Sequence, residues 1–298
     1  MKQVIRAFIA AIFITNTSAS AQDKMPVIAT FTILADLVKN VGGDRIEAAT
    51  LVGANSDSHV YAPTPADAKK VAAAKVVFIN GLGLEGWTTR LVKASGTKAT
   101  TVTVSKGITS RKMEEFGHGH GHQASDPHAW QSVANARVYV ANIRDGLIAA
   151  DPAGKGVYET NAAAYLARLD TLEAEVKDAI GKIPADRRRI ITSHDAFGYF
   201  GDTYGVAFIA PTGVSTESAV SAKDVARIIA QIKKQKIPAI FMENVADPRM
   251  MEQIARESGA KIGGRLFSDA LSDENGPAPS YIDMMRHNVQ QLASALTS

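Results

Sequence analysis

The chain has 298 residues, a formal charge of +3 and no cysteine. That length can build two modest cores without covalent staples, and the near-neutral charge gives no electrostatic case for a nucleic-acid partner. Without cysteine there is no disulfide framework, no thiolate metal ligand and no acceptor for lipid.

Lys2 and Arg6 open the chain, residues 7–15 are apolar, and Ala19-Ser20-Ala21 has the small-x-small pattern of a cleavage site. The apolar run falls short of the roughly 20 residues a membrane-spanning helix needs. Residues 1–21 are therefore expected to be a secretory signal, in preference to a buried N-terminal helix. Its removal leaves a soluble periplasmic protein with a charge of about +1.

The body alternates between strand and helix patterns. Residues 27–31 read as a strand, 33–41 as a helix and 46–52 as a second strand, followed by a polar turn over 53–58. Thr64-Pro65 predicts a helix start, a capping hydroxyl followed by proline at the first helical position. Residues 76–79 and 100–104 are further short strands. From 154 to 183 the pattern becomes one long helix carrying Tyr165, Leu166, Leu169, Leu172, Val176 and Ile180, ended by Pro184. It would extend about 40 Å, enough for a spine between two lobes, although a surface helix of one domain would also fit. A second series of strands follows over 189–192, 206–209, 239–242 and 261–267. The alternation predicts an α/β fold with parallel sheets. The expected organisation is a signal (1–21), an N-terminal lobe (22–153), a linking spine helix (154–183) and a C-terminal lobe (184–298). The two halves share a plan without an internal sequence repeat.

Four residues far apart in the chain occupy similar places. His59 lies between a strand and the Thr64-Pro65 helix start, and His128 lies in the stiff turn Asp126-Pro127-His128-Ala129-Trp130. His194 and Asp269 each follow a strand. Open α/β sheets bind ligands beyond the carboxyl ends of their strands. Imidazole and carboxylate suit a borderline divalent cation such as zinc. Donors so widely spaced cannot form a local clip, so they meet only where two lobes face each other. A weaker group, His118, His120 and His122, alternates with glycine in a short tract. It reads either as an auxiliary site for transient metal capture or as a solvated loop.

Other signals read as structure. Gly81-Leu82-Gly83-Leu84-Glu85-Gly86 fits a dinucleotide fingerprint, but Glu85 would place a negative charge beside pyrophosphate, so a tight turn is expected. Asp283 and His287 are four residues apart on a terminal helix and read as a surface pair or a packed histidine. Met250-Met251 and Met284-Met285 read as core, and Arg187-Arg188-Arg189 as a solvated turn. Glu243, also after a strand, is expected to support the site rather than ligate. No H-E-x-x-H helix or G-x-S-x-G elbow marks an enzyme. A secreted zinc metallohydrolase would need a metal-bound water beside a base such as Glu243 or Asp195.

Several of these segments together resemble the zinc- and manganese-binding receptors of ABC importers, the cluster A-I or cluster 9 family. They are the stretches from Asp57 to Pro65, Asn80 to Trp87, Asp126 to Trp130, Ser193 to Phe197 and Ser268 to Leu271. The resemblance runs through essentially all the mature chain. It implies two α/β lobes, a spine helix, and a metal at the lobe interface held by His59, His128, His194 and Asp269. It also implies delivery of that metal to a permease in the inner membrane, by a monomer, with a periplasmic zinc chaperone as a further candidate partner. Manganese receptors of the family tend to have glutamate where this chain has His194, so the resemblance leans to the zinc type, similar to ZnuA and AztC. Zinc is then the transported ion, with a manganese receptor as the alternative. Zinc receptors of this kind often carry a longer histidine-rich insertion than this one.

Overall fold

The computed structural model describes residues 23–112, 125–213, 216 and 220–297. The expected signal over 1–21 and the tract with His118, His120 and His122 lie outside the described residues. The N-terminal half carries β1 (Met25–Phe31), α1 (Thr32–Gly42), β2 (Ile46–Val52), α2 (Pro65–Ala73), β3 (Val76–Ile79), α3 (Thr88–Ser95), β4 (Thr100–Thr103) and α4 (Val133–Ala150). After α5 (Lys155–Gly181) come β5 (Arg189–Ile191), α6 (Gly198–Tyr204), β6 (Ala207–Ile209), α7 (Ala222–Gln235), β7 (Ala239–Glu243), α8 (Pro248–Ser258), β8 (Lys261–Leu266) and α9 (Tyr281–Thr297).

Each half builds a four-stranded parallel sheet, in the orders β2-β1-β3-β4 and β6-β5-β7-β8. The shared plan is thus one topology used twice. In the first sheet Ile28 pairs with Ala49 on one side and Val77 on the other, and both neighbours run parallel to it. Val27, Ile28, Val76, Val77 and Phe78 are all buried, as strands covered on both faces require. The helix start at Thr64 forms as expected. Its hydroxyl accepts the Asp67 N–H, and Asp67 Oδ2 accepts the Thr64 N–H at 2.9 Å, completing a reciprocal cap.

The 27 residues of α5 extend about 40 Å. Tyr158, Ala162 and Tyr165 are buried in its first half, and Leu172, Val176 and Ile180 in its second. The helix packs on α1 and α4 at one end of the chain and on α9 from the other. The chain length would allow two modest cores. Instead one apolar cluster runs from the first sheet through α5 and α9 to Phe241 and Leu266 of the second. A smaller cluster, with Ile228, Ile240 and Ile254, fills the space under α7 and α8. The sheets are therefore joined by packing as well as by the chain.

In the arginine run Arg189 is exposed, as a solvated turn expects, while Arg187 and Arg188 are half-buried. Arg188 donates from Nε to the Ile183 carbonyl at 2.9 Å and from Nη2 to the Gly181 carbonyl at 3.1 Å, capping the end of α5. Arg187 donates to the Leu296 carbonyl at the end of α9. Both cations satisfy helix-terminal carbonyls. Met251, Met284 and Met285 are fully buried, as read from the sequence. No helix among the described residues is long and apolar enough to cross a membrane.

Candidate metal centre

His59 lies in the segment after β2, His128 in that after β4, His194 after β5 and Asp269 after β8. These four segments converge, bringing one ligand atom from each residue within 4.8 Å of every other. His59 Nε2 is 3.2 Å from His128 Nε2 and 3.4 Å from Asp269 Oδ2. His194 Nε2 is 3.1 Å from Asp269 Oδ2, and His128 Nε2 is 3.4 Å from Asp269 Oδ1. A tetrahedron with metal–ligand bonds of about 2.0–2.1 Å has edges of about 3.3–3.4 Å. The His59–His128 contact and the three contacts to Asp269 thus already stand near ligand-to-ligand spacing.

The tautomer of His128 is set from behind. His128 Nδ1 is 2.9 Å from Asp126 Oδ1, the same oxygen that accepts the His128 backbone N–H at 3.0 Å. A proton held at Nδ1 leaves the Nε2 lone pair facing the centre. Glu243 stands behind His194, accepting its backbone N–H at 2.9 Å with Oε1 and lying 2.5 Å from Nδ1 with Oε2. That last approach is close but out of line for a hydrogen bond. Burial pulls the His194 imidazole towards neutrality, but the Glu243 and Asp269 carboxylates outweigh it and hold its pKa well above the ordinary value. Asp269 shows the converse, since burial is overcome by the imidazoles of His194 and His128 and its pKa stays well below the usual range.

Asp269 is fully buried, yet neither of its oxygens has a hydrogen-bond partner among the described residues, and the same holds for His194 Nε2. A buried carboxylate without hydrogen bonds is costly unless a cation compensates it. His59 Nε2 and His128 Nε2 lie within hydrogen-bond reach of each other, but Asp269 and His194 Nε2 bond to none of the others, as donors aimed at a shared point do.

The scaffold behind the histidines was not legible as such. The segment after β3, refused above as a nucleotide loop, positions both N-terminal-half histidines. Trp87 Nε1 donates to the Ser58 carbonyl at 3.0 Å, beside His59, and Asn80 Nδ2 donates to the Pro127 carbonyl at 2.9 Å, beside His128. Glu85 fixes the segment itself by accepting the backbone N–H groups of Asn80 (2.6 Å) and Gly81 (3.1 Å). Gly81 has φ +82°, and a Cβ there would meet Thr103 at 2.5 Å, so the turn demands glycine. In the second half the end of β7 does the equivalent work. Glu243 orients His194, and Asn244 brackets Asp269 by accepting the Ser268 N–H at 3.3 Å and donating to the Ala270 carbonyl at 3.1 Å.

The competing assignments fall away. Asp195 is 3.9 Å from the Arg111 guanidinium and Glu243 is engaged with His194, so neither is placed as a free general base. His287 Nε2 lies 3.0 Å from the Arg265 carbonyl with its ring against Phe267, while Asp283 accepts from Ser280. That pair is a packed histidine and a helix-start contact.

A family model described as ZnuA, zinc-uptake complex component A, periplasmic, matches residues 27–295. The manganese ABC transporter substrate-binding lipoprotein PsaA of Streptococcus pneumoniae is 34% identical over 287 residues, covering 94% of this chain and 92% of its own length. The iron ABC transporter substrate-binding lipoprotein MtsA of Streptococcus pyogenes serotype M1 is 34% identical over 307 residues, covering 99% and 98%. Among solved structures, the periplasmic zinc-binding protein TroA of Treponema pallidum matches with a TM-score of 0.86 at 31% identity, covering 93% of this chain and 100% of that one. This chain therefore belongs to the ZnuA family (cluster A-I) of metal-binding receptors of ABC importers, proteins that bind their substrate rather than transform it.

Proposed function

We propose that this protein is an exported zinc receptor that binds one ion through His59, His128, His194 and Asp269 and passes it to a membrane permease. The observation that carries the reading is the buried Asp269 carboxylate, without a hydrogen bond among the described residues and ringed by three imidazole Nε2 atoms at 3.1–3.4 Å. Three imidazole nitrogens, neutral once an ion displaces the proton of His194, and one oxygen suit zinc, and manganese stands lowest in the divalent affinity order. The signal-like residues 1–21 support export, and the lack of cysteine supports a soluble periplasmic form over a lipoprotein. A second reading, a manganese receptor, draws support from the manganese and iron named in relatives. It also draws on Asp269, which turns both oxygens to the imidazoles and so offers a fifth donor.

Competition dialysis against equal free zinc and manganese tests the choice. Zinc-loaded protein is the expected result, and retention of manganese would overturn the zinc reading. His128→Ala and Asp269→Ala should each weaken zinc binding far more than His287→Ala. The reverse order would refute the ligand set.

A further inference from the structure

Arg111 stands where the two halves of the molecule meet beside the metal centre, and none of the ligand geometry above uses it. We propose that Arg111 is a positioning residue for the metal centre, tying the carboxylate behind His128 to the segment that follows His194, and that it thereby sets how long the cargo ion is held. The inference rests on the metal-centre reading given above.

The guanidinium contacts three carboxylates from two directions. Its Nη1 is 3.3 Å from Asp126 Oδ2 and 3.9 Å from Asp195 Oδ2, and its Nε donates to Asp202 Oδ2 at 3.1 Å. Asp126 is thus divided in function. Oδ1 holds the ring and backbone of His128, while Oδ2 is held by Arg111. Without the second contact a carboxylate can turn about its own axis, and the imidazole it orients turns with it. The backbone repeats the tie. The Arg111 N–H donates to the Tyr199 hydroxyl at 2.9 Å, and that hydroxyl donates to the Asp126 carbonyl at 3.1 Å. Asp126 N–H donates in turn to the Arg111 carbonyl at 2.9 Å.

A cradle for the guanidinium is built into α6. A Cβ on Gly198 would lie 2.4 Å from Arg111 Nη1, 2.5 Å from Cζ and 2.7 Å from Nε, and no other atom is so close. Gly198 needs no positive φ, and alanine is the better helix former at such a position. Glycine here makes room for Arg111. Replacing it displaces the guanidinium while keeping the charge in the chain.

The test compares wild type with Arg111→Met, Arg111→Lys and Gly198→Ala. Zinc affinity is measured by competition with a chromophoric chelator, zinc release by stopped flow, and ligand geometry by the visible bands of the cobalt-loaded protein. Arg111→Met and Gly198→Ala should each weaken zinc retention ten- to a hundred-fold, the usual range for partners behind metal ligands, and should alter the cobalt bands. Arg111→Lys should fall between, because an ammonium cannot fork across several carboxylates. Wild-type affinity and cobalt spectra in both Arg111→Met and Gly198→Ala would overturn the proposal. So would tighter binding, which would mark Arg111 as a repelling charge. Should Arg111→Met not fold, Gly198→Ala alone decides. If wild type binds neither zinc nor cobalt, the metal-centre reading itself fails.

Discussion

The seam between His128 and Asp269 makes a quantitative prediction through one carbonyl. Trp130 Nε1 and Gln131 Nε2 both donate to the Ser268 carbonyl, each at 2.9 Å, and all three residues are fully buried. Gln131 Oε1 has no partner among the described residues. Gln131→Met therefore removes one of two redundant bonds and an unsatisfied acceptor together, and should change stability by less than about 0.5 kcal/mol. Trp130→Phe loses ring volume and the other bond, a cost of about 1–2 kcal/mol. The double variant leaves Ser268 with a buried orphan carbonyl, worth a further about 1–3 kcal/mol that neither single change reveals. Urea unfolding of the metal-free protein, with unchanged slopes as the check on comparable states, measures this coupling. Because Ser268 precedes Asp269, zinc affinity should fall most in the double variant. Stabilities that add within about 0.5 kcal/mol would refute the shared-acceptor argument.

The four residues that cluster were legible because each sits in a short segment of distinctive chemistry after an apolar strand. Parallel sheets and the long α5 were legible for a similar reason, since periodicity is local. Helix α4 was missed. Its buried face of Ala136, Tyr139, Val140, Ile143 and Leu147 is interleaved with Arg137, Asn142 and Arg144, and mixed polarity blurred the repeat. The supporting residues were illegible for a different reason. Asn80 to Trp87 reads as a glycine-rich turn, and only tertiary contacts 29 and 47 residues away show that it places His59 and His128. Arg111 and Gly198 are likewise ordinary residues until their approach is seen. The arginines at 187 and 188 were misread because their partners are carbonyls at the ends of two helices, which no side-chain pattern advertises.

Chelation of metal should leave most of the circular-dichroism signal intact, because the continuous apolar core does not depend on the ion. Loss of most of that signal would contradict the fold argument. Replacing His118, His120 and His122 together by serine should leave central-site affinity nearly unchanged while slowing uptake from scarce zinc. The stem supports the first part, since Asp126 N–H bonds to the Arg111 carbonyl at 2.9 Å and Lys112 bridges Ser125 across the ends of the tract. Unaltered uptake in stopped flow would return the tract to a plain solvated loop. Asp67 should give the protein an acid-sensitive contribution to stability. Its burial favours the neutral acid, but the Thr64 hydroxyl and N–H, the Tyr61 hydroxyl and Lys70 outweigh it and lower its pKa to about 2. A depressed carboxylate stabilises the fold fully above its ordinary value near 3.8 and loses that contribution as pH falls through about 2. Asp67→Ala should therefore cost stability at neutral pH and flatten the decline between about pH 4 and pH 2. The gap between wild type and variant narrows with acid because protonated Asp67 loses the charge that its partners hold. Thermal melts at stepped pH measure that gap, and one that stayed constant down to about pH 2 would show that the cap does not depend on the ionised carboxylate.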